Sequence, residues 1–154
     1  MGRFIATALL FTALSAQADL ILLDGHVRAM PPGQPNTAAF MQLKNTGKNS
    51  ITLVSAQTTA AQKSEFHTHS TNDKGVMSMS QVPQITIKPE QVFVFKSGAH
   101  HVMIMGLKQP LKPGTSIDLS LQDAQGASYT YDLPVVSLLN NAPMKHDHHH
   151  HGQE

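Results

Sequence analysis

The chain has 154 residues, enough for one domain. Only 14% are charged, and without Arg3 ten Lys/Arg stand against ten Asp/Glu, so no basic cluster points to nucleic acid. There is no cysteine, which excludes a thiol nucleophile, a thiolate metal ligand and a disulfide, and leaves packing alone to hold the fold.

Residues 1–18 read as a signal peptide. Arg3 gives a thin positive start, and residues 4–14 are apolar but short of the ~20 residues that span a bilayer. Ala16, Gln17 and Ala18 form an A-x-A cleavage site, so export to the periplasm and a mature chain from Asp19 are expected, without stable membrane insertion. A retained anchor is the alternative. From there to residue 139 the sequence predicts short strands broken by Gly, Pro and Asn: HVRAM, TAAFMQLK, ITLVSAQ, SEFHTH, VMSMS, QITI, QVFVF, HHVMIM, SIDLSLQ, SYTYDL and PVVSLL. Ile117, Leu119 and Leu121 fall on one face with period two. The spacing predicts an all-β sandwich or barrel over residues 19–139. Residues 58–63, TTAAQK, are expected to form a helical turn. Residues 140–154 lack apolar periodicity and are expected to form a mobile tail.

Histidine and methionine gather within these strands. Alternation puts Glu65, His67 and His69 on one face of SEFHTH, with Phe66 on the other. Met77 and Met79 share a face of VMSMS. His101, Met103 and Met105 share a face of HHVMIM, and His100 points away. If these strands are neighbours, imidazole and thioether converge. Thioether is a soft neutral donor that suits Cu(I), whereas Mg²⁺ and Ca²⁺ need oxygen and zinc sites rarely use Met. The same pattern also fits core-filling methionines and surface histidines.

The spacing carries a resemblance. Eleven residues separate His67 from Met79, twenty-one separate Met79 from His101, and one separates His101 from Met103. This resembles the signature of the PCu(A)C family of periplasmic copper chaperones. EFHTH…GVMSM, SGAHHVMIMGLKQPLKPG and NTAAFMQLKNTG are similar to three blocks of that family, over roughly residues 19–136. The resemblance implies a cupredoxin-like Greek-key β fold and a Cu(I) site formed by His67, Met79, His101 and Met103. It also implies delivery of copper for respiratory cytochrome oxidase. A copper-receiving partner is then expected, either an oxidase subunit or a thiol-bearing assembly factor, with the chain itself a monomer. Two departures stand out: Gly98 and Ala99 replace a glycine pair, and His100 replaces an aromatic or apolar residue.

Other residues near the motif are assigned lesser roles. Met77, Met105 and His69 are expected to pack or support rather than ligate. Glu65 is read as an exposed strand charge, with a hydrogen bond to a ligand histidine as the alternative. His26, Met30 and Met41 are read as structural. A blue-copper electron carrier is excluded because its His₂Cys site needs a cysteine. No nucleophile–base set is visible, so no enzyme is expected. A copper storage or resistance role through the same site stays open.

The tail, MKHDHHHHGQE, has four consecutive histidines where a purification tag usually has six. Read as native, Met144, His146, His148, His149, His150 and His151, with Asp147, suit Cu(II), which stands at the top of the Irving–Williams order.

Overall fold

The computed structural model describes residues 19–137. The expected signal peptide and His-rich tail lie outside them. Ten strands follow one another: β1 Leu20–Arg28, β2 Asn36–Asn45, β3 Ile51–Gln57, β4 Ala61–Thr71, β5 Met77–Gln81, β6 Ile85–Ile87, β7 Val92–Phe95, β8 His101–Leu107, β9 Ser116–Asp123 and β10 Ser128–Val136. Their order is β5-β4-β8-β2-β1-β10-β9-β3-β6, β7 pairs with β2, and a β3–β4 contact at Ala56 and Ser64 closes the sheet. Seven strands thus form a barrel, with β5 and β6 on its rim. Closure hides most strand edges, which an open sheet would leave unpaired.

Alternation fills the barrel. Leu43, Leu53, Ile87, Val102, Ile104, Leu119, Leu121 and Leu133 are fully buried, and each such side chain stabilises the fold by ~1.5–3 kcal/mol. Asn45 is also fully buried, and its Nδ2 donates to the carbonyls of Asn49 and Ile87 at 2.8 and 2.9 Å. Its Oδ1 accepts from the Gly47 amide at 2.9 Å, so this buried amide is satisfied at both ends.

Three local expectations are corrected. β1 starts six residues before HVRAM, at Leu20. The run Leu20, Ile21, Leu22, Leu23 hides its alternation because the register shifts between Leu22 and Asp24. SYTYDL and PVVSLL are one strand up to Val136. Pro134 faces Ser116 at the end of the β9 ladder, just before the short parallel pairing with β1 begins at Val135. Residues 58–63 are not a helical turn: Thr58–Ala60 turn the chain, and Ala61 already begins β4 with its side chain buried. The Thr58 hydroxyl takes the Ala60 amide at 3.2 Å, and Asp118 takes the Thr59 amide at 3.1 Å and the Thr59 hydroxyl. These side chains satisfy the amides that a helix would have used.

The Thr59 hydroxyl and then its amide hold the Asp118 carboxyl below its ordinary value. A folded-state pKa below the unfolded one gives stability that is fully present above the unfolded value, near pH ~3.9, and lost as pH falls through the folded one. We expect this bond to contribute about 1 kcal/mol at neutral pH, limited by solvent screening. Asp118→Asn should therefore flatten the acid limb of the unfolding profile. Parent and variant profiles that run parallel from pH ~6 down to ~2 would remove Asp118 from this role.

Candidate metal centre

Two hairpins set the geometry. At the β4–β5 turn, Asn72 Oδ1 accepts from the amides of Lys74 and Val76 at 3.0 and 2.9 Å, and Gly75 adopts φ 75°. That turn fixes His69 opposite Met79 and His67 opposite Gln81. Between β7 and β8, Gly98 adopts φ 78°, and the Lys96 amide donates to the His100 carbonyl at 2.7 Å. On the other side of β4, His67 lies opposite His101 and Glu65 opposite Met103. Because β5, β4 and β8 are consecutive in the sheet, the faces that carry His and Met become one surface. Phe66, Val102 and Ile104 point the other way, into the core.

This surface forms a cavity of about 230 Å³ walled by His69, Met79, His101 and Met103, together with Arg28, Met30, Asn36, Thr37, Ala38, Phe40 and Ser97. His67 stands beside the cavity rather than on its wall. Its ring lies 6.0 Å from that of His101, and the His69 ring lies 5.1 Å from it.

Hydrogen bonds assign the free nitrogens. His67 Nε2–H donates to Glu65 Oε2 at 2.9 Å, which leaves the lone pair on Nδ1. His101 Nδ1–H donates to the Ala99 carbonyl at 2.9 Å, which leaves it on Nε2. Nδ1 of His67 and Nδ1 of His69 are buried without a partner. Buried polar nitrogens are rarely left so unless something else binds them. His101 is 3% exposed, and burial, ahead of smaller effects of neighbouring charges, lowers its pKa. It is therefore kept neutral, the form that coordinates a metal. Among the described residues no group of three or more His, Cys, Asp or Glu converges tightly enough to hold an ion alone. A bound ion would need the thioethers of Met79 and Met103, and these donors fit a soft cation.

Glu65 is not an exposed charge. Its side chain is 13% exposed, pairs with Lys63 Nζ at 2.5 Å and accepts from His67. The bond from His67, then that from Lys63, lowers its pKa. Such a carboxylate fixes the tautomer and orientation of the imidazole.

The remaining residues divide clearly. Met77 is 62% exposed. Met105 is half-buried, in register with Lys63 and Asn36. His100 turns to Phe93, with ring centres 5.4 Å apart, away from the cavity. Met41 is core, and His26 packs on Phe40 at 5.5 Å. Met30, read as structural, stands on the cavity wall, as does His69. Arg28 and Phe40, also on the wall, carry no signal in the sequence, because nothing in their spacing links them to the motif. The tail residues Met144, His146, His148, His149, His150 and His151 lie outside the described residues.

The protein-family model described as LpqE-like, a lipoprotein family, matches residues 20–135. The Leifsonia xyli subsp. xyli protein Lxx21020, whose name describes it as a lipoprotein, is 30% identical over 103 residues. That match takes in 67% of this chain and 62% of the relative, so the chain aligns with less than two thirds of the relative's length. The Cu(I) solution structure of DR1885 from Deinococcus radiodurans is 33% identical with a TM-score of 0.59, covering 73% of this chain and 75% of that one. The apo PCuAC domain from PmoF1 is 17% identical with a TM-score of 0.65, covering 77% and 94%. The fold is the cupredoxin-like barrel of these domains.

Proposed function

Because the chain belongs to the LpqE-like lipoprotein family and has the barrel of PCuAC domains, we propose that it is an exported, periplasmic copper carrier rather than an enzyme. The observation that carries this reading is the convergence of two thioethers and buried, lone-pair-bearing imidazoles on one cavity. The similarity to DR1885, whose structure was solved with Cu(I), supports copper as the cargo.

The proposed ligands are His67, Met79, His101 and Met103, with His69 a further imidazole on the wall. All are neutral, so Cu(I) keeps its single charge when bound. Glu65 and the Ala99 carbonyl orient the two rings of the proposed set. Met79 is 47% exposed on rim strand β5, which gives the ion an exit. A partner thiolate approaching there would displace a thioether, because charged sulfur is the stronger donor to Cu(I). The receiving protein is on this reading an oxidase subunit or a thiol-bearing assembly factor. The copper-binding unit is residues 19–139, acting as a monomer, with the His-rich tail as a separate Cu(II) site.

X-ray absorption of the protein with one equivalent of Cu(I) tests the core of the proposal. Mixed nitrogen and sulfur scattering is expected. A first shell without sulfur would exclude the methionines and with them the carrier site.

A further inference from the structure

We propose that Arg28 is a specificity-determining residue that makes the cavity favour a monovalent over a divalent copper ion. The inference rests on the copper reading above. Among the described residues, Arg28 is the one formally charged side chain on the cavity wall. Its guanidinium carbon sits 5.1 Å from the centre of the Phe40 ring, which in turn lies 6.4 Å from the His101 ring. Its Nε is buried and finds no hydrogen-bond partner, and no carboxylate among the described residues pairs with it. The nearby negative charge of Glu65 is already answered by Lys63. Arg28 also borders a second cavity, whose lining includes Asp24, His26 and Lys96, but no ion pair joins Asp24 to Arg28. The site therefore feels a positive charge that Phe40 holds in place and that no ion pair neutralises.

The ligand set is neutral, so the bound ion carries its whole charge. The Arg28 charge then repels Cu(II) about twice as strongly as Cu(I). The difference equals one unit-charge interaction. At a separation on the order of 10 Å and an effective dielectric of about 20–40, that is a roughly 4- to 20-fold bias toward Cu(I). The stacking on Phe40 holds the charge in place, since a cation over a ring face is attracted by its quadrupole. The weak repulsion of Cu(I) itself also aids release of the cargo.

The test uses the full-length chain with His146, His148, His149, His150 and His151 replaced by Asn, so that only the cavity binds copper. Arg28→Leu removes the charge and keeps an apolar stem on Phe40 without adding a donor atom, and Arg28→Lys keeps the charge. Cu(I) affinity is read by competition with a chromophoric chelator and the midpoint potential by voltammetry. Arg28→Leu should tighten Cu(I) by roughly 4- to 20-fold and Cu(II) by about the square of that factor. At 59 mV per decade the potential should fall by about 35–75 mV. Arg28→Lys should stay close to the parent. An Arg28→Leu potential equal to the parent's, or an equal shift in Arg28→Lys, would overturn the proposal while leaving the copper site intact. Absence of Cu(I) binding in the parent itself would overturn the carrier reading instead.

Discussion

His101→Ala and Met103→Ala should each lower Cu(I) affinity by about 100-fold or more, beyond the ~10–100-fold that follows loss of a group merely supporting a metal ligand. Both side chains come from β8, and both line the cavity. His101 is buried and oriented by the Ala99 carbonyl, so its Nε2 is presented without further rearrangement. Met79→Ala should cost less than Met103→Ala, because Met79 is half exposed and starts from a less fixed position. Zn²⁺ affinity should barely respond to either methionine, since thioether is a poor ligand for it. On β4, His67→Ala should likewise weaken Cu(I) by about 100-fold or more, and His69→Ala by no more than the ~10–100-fold of a supporting group. A larger loss in His69→Ala would move the β4 ligand one pleat along the strand. Chelator competition on apo protein that retains its β-sheet circular dichroism measures all of these. Unchanged Cu(I) affinity in His101→Ala would end the assignment of this cavity as the copper site.

Deleting residues 141–154 should remove a second copper equivalent, bound as Cu(II), and leave the first in place. The motivation is the imidazole density of His146, His148, His149, His150 and His151 beside Asp147. The described chain also leads toward the right place. β10 ends with Val136 in register with Arg28, and the Ala29 amide donates to the Val136 carbonyl at 2.8 Å. Arg28 and Met30 are on the cavity wall, so the described chain ends near the border of that cavity. At ~3.5 Å per residue, Met144 lies within about 30 Å of chain from that point. Binding by a run of imidazoles with one carboxylate should also be open to Ni²⁺ and Zn²⁺. Deletion should slow loading of the cavity from Cu(II) plus reductant, yet leave loading from Cu(I) unchanged. Electron paramagnetic resonance at one and two equivalents reads the result. An identical Cu(II) signal with and without residues 141–154 would make the histidine run a bystander.

The shared faces that carry the proposed donors are legible from residue order alone. Alternation is a local property of extended chain, so the shared faces of His67 and His69, of Met77 and Met79, and of His101 and Met103 follow from residue order alone. The same holds for the inward Phe66, Val102 and Ile104, and for the all-β class. Residues 58–63 lie beyond the reach of such local patterns. The Thr59 amide is taken by Asp118, 59 residues away, and no window along the chain reports such a partner. What only the tertiary structure decided was adjacency and register. The order β5-β4-β8 made three faces into one surface, and a turn held by Asn72 set His69 rather than His67 opposite Met79. Glu65 changed from an exposed charge to the carboxylate that orients His67. Arg28, Met30 and Phe40 joined the site from β1, its end and β2, far from the motif in sequence. Side-chain periodicity is written in each strand, but which strands lie side by side depends on barrel closure, and that is settled only by packing of the whole chain.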